Sequence, residues 1–131
     1  RPRSATLLAG LLRDDARPAI RGRAAELAGR HAGPVATEPL LRALRLDPSP
    51  EVRISAASAL GGRMDFGTVP AFRDAVLLDP DPAVRVAALE AVGSLRNPGL
   101  REFFRAVEAG DGDYQVQSAA RRQLWRIPAG E

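Results

Sequence analysis

The stretch Asp79–Gly93, DPDPAVRVAALEAVG, decides the fold, because its pattern returns at a fixed interval on both sides. Thirty-two residues before Asp79, Val84, Arg85, Ala88, Val92 and Gly93 stand Asp47, Val52, Arg53, Ala56, Leu60 and Gly61. One interval earlier come Asp15, Ile20, Arg21, Ala24, Ala28 and Gly29, and one interval later Asp111, Val116, Gln117, Ala120, Leu124 and Trp125. The rest of the interval repeats as well. Leu8, Leu40, Phe72 and Phe104 share a column, as do Leu11, Ala43, Ala75 and Val107, and Leu12, Leu44, Val76 and Glu108. A period of about 20–50 residues marks a solenoid, whose units are too small to bury an apolar face alone and stack on one another.

Composition agrees with thin layers of small side chains. The chain has 131 residues, the length of one domain, and is 45% apolar with four Phe, one Trp and one Tyr, so its core is built of Ala, Leu and Val. There is no cysteine, hence no disulfide framework and no thiolate chemistry. All 19 basic residues are Arg, yet the formal charge is only +3. No run of about 20 apolar residues and no signal-peptide pattern occurs, so no membrane partner is expected and the compartment stays open. The chain begins Arg-Pro-Arg, which reads as a segment of a longer polypeptide.

Helix punctuation recurs with the period. Ser4 reads as an N-cap before ATLLAGLLR. Pro18, Pro50 and Pro82 open helices at a first-turn position, where the missing N–H costs little. Ser49, Asp81, Asn97 and Asp113 read as further caps. Gly61, Gly62 and Gly93 read as stops in the left-handed conformation. Pro128 ends the last helix, and Pro39 and Pro70 fall in first turns. The expectation is eight short antiparallel helices and no strand, in units near 15–46, 47–78 and 79–110 with half units at 1–14 and 111–131. The column Ala24, Ala56, Ala88 and Ala120 is where small side chains let helices approach.

The units DPSPEVRISAASALG and DPDPAVRVAALEAVG resemble HEAT repeats of the short bacterial type found in phycobilin lyases. That resemblance implies an all-α, right-handed superhelix. It also implies that Asp15, Arg21, Asp47, Arg53, Asp79 and Arg85 form a structural ladder joining successive units. The fourth unit departs, with Gln117 in the Arg column and Trp125 in the Gly column. Either the ladder ends there or a further unit follows. Trp125, with Leu124 and Ile127, reads as a cover for the last layer or as an anchor for a partner.

No reaction centre is expected. His31 is the one histidine, and the His-Glu pairs of HEAT-like di-iron hydroxylases are absent. The haem attachment pattern is absent too, and Asp111-Gly112-Asp113 lacks the further acids of a calcium loop. No catalytic residue, metal or cofactor is expected. In HEAT solenoids the second helices commonly line the concave side. On that basis Arg13, Arg42, Arg45, Arg73, Arg101 and Arg105 would form rows in the groove, suited to carboxylate or phosphate. The expectation is a noncatalytic protein-interaction module engaging another protein or a domain of the same parent. Nucleic acid, as in HEAT-like DNA glycosylases, is the alternative. The small net charge, the interspersed acids and the lack of stacking aromatics stand against it.

Overall fold

The computed structural model describes residues 2–127, and among these it shows eight α-helices and no strand. In chain order they are α1 (Pro2–Asp14), α2 (Pro18–His31), α3 (Thr37–Leu46), α4 (Pro50–Gly61), α5 (Val69–Leu78), α6 (Pro82–Gly93), α7 (Arg101–Gly110) and α8 (Tyr114–Arg126). Short 3₁₀ turns lead into α3, α5 and α7. Helices of 10 to 14 residues are marginal alone in water, so packing must hold them.

The close antiparallel hairpins are α1/α2, α3/α4, α5/α6 and α7/α8. The boundaries expected at 15, 47 and 79 therefore fall on the turns inside hairpins, because the repeated Asp sits at each tight turn. The second, third and fourth hairpins bury Leu40, Phe72 and Phe104 from their first helices and Val52, Val84 and Val116 from their second. The alanine column Ala24, Ala56, Ala88 and Ala120 is buried throughout, so the helices meet nearly backbone to backbone.

Helices α2, α4, α6 and α8 pack tightly in one row, whereas α1, α3 and α5 touch their row neighbours only sparsely. The cause is in the side chains. A Cβ added at Gly29 would stand 2.7 Å from the Cβ of Ala59, and one at Gly61 would stand 2.8 Å from that of Ala91. Only glycine permits this approach. Since one row is close and the other splayed, the array curves with α2, α4, α6 and α8 inside. The second helices of the sequence-based units, α3, α5 and α7 with α1, line the outer side, contrary to expectation.

Three local expectations are corrected as well. Ser4 lies within α1, which starts at Pro2, so it caps nothing. Ser49 makes no cap bond; its hydroxyl donates to Glu51 at 2.8 Å. Gly61, Gly62 and Gly93 do not stop helices by left-handed backbone: the positive φ belongs to Gly33, Met64 and Arg96. Asp81, Asn97 and Asp113 do accept backbone N–H groups at helix or 3₁₀ starts. Pro39 and Pro70 lie in the first turns of α3 and α5. Pro128 lies outside the described residues.

Candidate functional site

Three guanidinium forks tie the four hairpins together. Arg21 donates to Asp47 through Nε at 2.8 Å and Nη2 at 3.1 Å, and its Nη1 reaches the carbonyl of Asp15 at 2.9 Å. Arg53 does the same to Asp79 at 2.9 and 3.2 Å and to the Asp47 carbonyl at 2.8 Å. Arg85 repeats it with Asp111 and the Asp79 carbonyl. Each Arg thus closes its own turn and clamps the next. The planar fork matches two carboxylate oxygens at once, which a lysine could not do. The hydrogen bond from Arg21 to Asp47 raises the arginine's pKa further above its ordinary value.

The carboxylates are also held by their own loops. Asp47, Asp79 and Asp111 each accept the backbone N–H two residues on, from Ser49, Asp81 and Asp113 at 2.9 Å. In the fourth unit Gln117 keeps half of the pattern, donating from Nε2 to the Asp111 carbonyl at 2.6 Å.

A second tie escaped the sequence reading. Arg63 donates to the carbonyls of Gly29 and Gly33, the former at 3.2 Å, so it caps the C-terminal end of α2 from the following unit. Its column holds His31, Leu95 and Ile127 in the other units, so periodicity could not flag it. Gln123, 1% exposed, was missed for the same reason; its Oε1 finds no partner and it lies against Gly93.

The six arginines expected in the groove lie on the outer row and do not form continuous rows of free charge. Arg13 is engaged with Asp14 at 3.1 Å, which raises its pKa, and Arg105 with Glu102 at 3.2 Å. Arg73 lies over the Phe103 ring, 5.0 Å from its centre, and Arg101 donates to the Ile127 carbonyl at 3.3 Å. Arg42 and Arg45 are exposed and border two open grooves. One groove, of about 580 Å³, runs between α1 and α3 past Arg13, Arg42, Leu46 and Asp47. The other, of about 470 Å³, runs between α3 and α5 past Arg45, Asp74, Leu78 and Asp79. On the inner row Glu26, Ser58, Glu90 and Arg122 are exposed in one column, so charges of both signs face outward there too.

His31 is exposed as the last residue of α2. Among the described residues no group of three or more His, Cys, Asp or Glu side chains could hold a metal ion. No described helix is long and apolar enough to cross a membrane. Trp125, at 85% exposure, does not cover the last layer of these hairpins.

Stacked two-helix hairpins joined by an Asp–Arg ladder define an α-solenoid. The family profile for HEAT repeats matches residues 4–76 and 37–125, and the chain belongs to that family. No curated protein sequence matches it. Among solved structures it is similar to human deoxyhypusine hydroxylase in complex with glycerol, at 27% identity and a TM-score of 0.78. The match covers 94% of this chain and 43% of the hydroxylase chain, so this chain spans under half the length of that structure.

This likeness overturns the expectation of a noncatalytic module. An array of the same build, similar in sequence as well as in fold, serves an enzyme. That expectation rested on the lack of a recognisable reaction centre in these residues, which does not by itself exclude a place in an enzyme. The residues here nevertheless do not fit a metal centre of the kind HEAT-like hydroxylases carry. The chain offers one histidine, and that histidine stands apart from any donor cluster among the described residues.

Proposed function

We propose that this chain is one segment of a HEAT-repeat enzyme, and that it shapes and holds a surface in that enzyme while the reacting groups stand elsewhere in the parent protein. The observation that carries the reading is the match over 94% of the chain, at 27% identity, to less than half of a hydroxylase. That no three His, Cys, Asp or Glu side chains cluster among the described residues supports the second part. The partner in this reading is another domain of the parent, or a protein held against the array. The two open grooves supply mixed apolar and arginine-bearing edges for such a contact, with Leu46 and Leu78 exposed one period apart.

The test compares the parent protein with this chain. Each is incubated with ferrous iron, dioxygen, a two-electron reductant such as ascorbate and a peptide bearing deoxyhypusine, and the peptide is followed by mass spectrometry for the gain of one oxygen atom, the other leaving as water. The reading expects turnover by the parent and none by this segment. Turnover by the segment alone would refute the placement of the reacting groups. A parent inert toward this and other oxidisable amine side chains would refute the relation to hydroxylases.

A further inference from the structure

The two ends of the array differ in chemistry, column by column. On the side facing the following unit, the first three hairpins carry Leu12, Leu44 and Val76, then Ala25, Ala57 and Leu89, then Gly29, Gly61 and Gly93, all small or apolar. In the fourth hairpin the same columns read Glu108, Arg121 and Trp125, and Glu108 and Arg121 pair at 2.6 Å. Gln117 replaces the ladder arginine there. Four columns turn polar or bulky together, which is the character of a capping unit.

The opposite end shows no such change. The columns that units two to four bury against the unit before them hold Leu40, Phe72 and Phe104, or Val52, Val84 and Val116. In the first unit they hold Leu8 and Ile20, both half-exposed, flanked by Leu11 and Leu27 and by Leu7 at 64% exposure. The ladder column is also ready. Asp15 accepts the N–H of Arg17 at 2.9 Å, as its counterparts accept theirs. The fork it would take from a preceding unit is supplied instead by the Arg17 side chain, at 3.0 Å through both Nε and Nη2. That side chain is 72% exposed and can swing away.

We propose that the N-terminal end of the array is a stacking face for one further HEAT hairpin, whose inner helix supplies an arginine to Asp15. The interfaces between the four hairpins define what that hairpin must offer: a small-residue forward face like Ala57 and Gly61, and a guanidinium six residues after its own turn aspartate. Burial of Leu7, Leu8, Leu11, Ile20 and Leu27 drives the contact. Displacement of Arg17 by the incoming fork sets its register.

The test adds a second copy of residues 33–64 directly before residue 1, which keeps the 32-residue period. The expected product unfolds by urea in one transition. Its m-value rises by about a quarter, in proportion to 32 residues added to 131. Leu7→Glu, or Ala in place of the added copy's ladder arginine, abolishes that gain while leaving the unextended chain's midpoint in place. The same hairpin added after residue 128 forms no cooperative extension. An N-terminal copy that unfolds separately would overturn the proposal. So would a gain untouched by Leu7→Glu, or an equal gain at the other end. Self-association of the unextended chain through this face, lost in Leu7→Glu, would overturn the assigned occupant as well.

Discussion

Truncating Arg53 to alanine removes three hydrogen bonds at once, two to the Asp79 carboxylate and one to the Asp47 carbonyl. The pair is well buried, with side-chain exposures of 11% for Arg53 and 7% for Asp79. What remains for Asp79 is the Asp81 N–H alone. Breaking a fully buried pair costs roughly 3–5 kcal/mol, and orphaning a single buried polar group about 1–3. Both residues border the open groove between α3 and α5, so water enters when the guanidinium leaves and the loss lies at the low end, about 3 kcal/mol. For a chain of this size that lowers Tm by roughly 10 °C. Urea unfolding of Arg53→Ala, Asp79→Ala and the double variant makes a thermodynamic cycle. The double variant should cost less than the sum by about 1–2 kcal/mol, because the second deletion removes the charge that the first left unpaired. Arg105→Ala, whose ion pair is exposed, should stay within about 0.5 kcal/mol of the unsubstituted chain. An Arg53→Ala loss no larger than that of Arg105→Ala, or strict additivity in the cycle, would refute the clamp.

Glycine at the inner row is a packing requirement. Gly61→Ala puts a methyl 2.9 Å from the Cα of Ala91 and should cost about 1–3 kcal/mol by chemical denaturation. Gly10→Ala, in the open on α1, should instead stabilise by about 0.5–1 kcal/mol. Ala88→Leu, at a site with no exposure, should cost about 1–3 kcal/mol through overpacking. Among the outer arginines, Arg45→Glu should leave the midpoint almost unchanged. Arg73→Glu should cost about 0.5–1 kcal/mol through the lost contact with Phe103, measured in the same way. The side-chain hydrogen bond from Arg17, then its backbone N–H, lowers the Asp15 carboxyl from its ordinary 3.8 to about 2. A carboxyl depressed on folding stabilises above its unfolded pKa, and that contribution is lost as pH falls from about 4 to about 2. Acid titration of Asp15→Asn should therefore show a shallower fall in stability across that window.

The period carried most of the fold. Columns of Asp, Arg, Ala and Gly at a constant spacing specify both the hairpin and the clamp, because each column answers to one contact made three times over. The direction of curvature was less open to reading. It depends on which row is closer, and that follows from Gly29 against Ala59 and Gly61 against Ala91, contacts between units that a column alignment does not pair. Reading those glycines as helix stops hid the signal, and cutting the units at Asp15, Asp47 and Asp79 made α3, α5 and α7 the second helices, which placed the six arginines on the concave side. Arg63 and Gln123 act once each and break their columns, so repetition could not expose them. The relation to hydroxylases was set aside at the sequence because the chain has no His-Glu pair; the likeness at 27% identity over 94% of the chain restores it.

The most direct test of the central claim is the metal stoichiometry of this chain beside its parent. Each is loaded anaerobically with ferrous iron, desalted and measured by elemental analysis. The account predicts that the parent retains iron in a fixed ratio while this segment, folded and monomeric, retains none. Stoichiometric iron on the segment itself would contradict it, and would require a donor set that no group of three or more His, Cys, Asp or Glu side chains provides among the described residues.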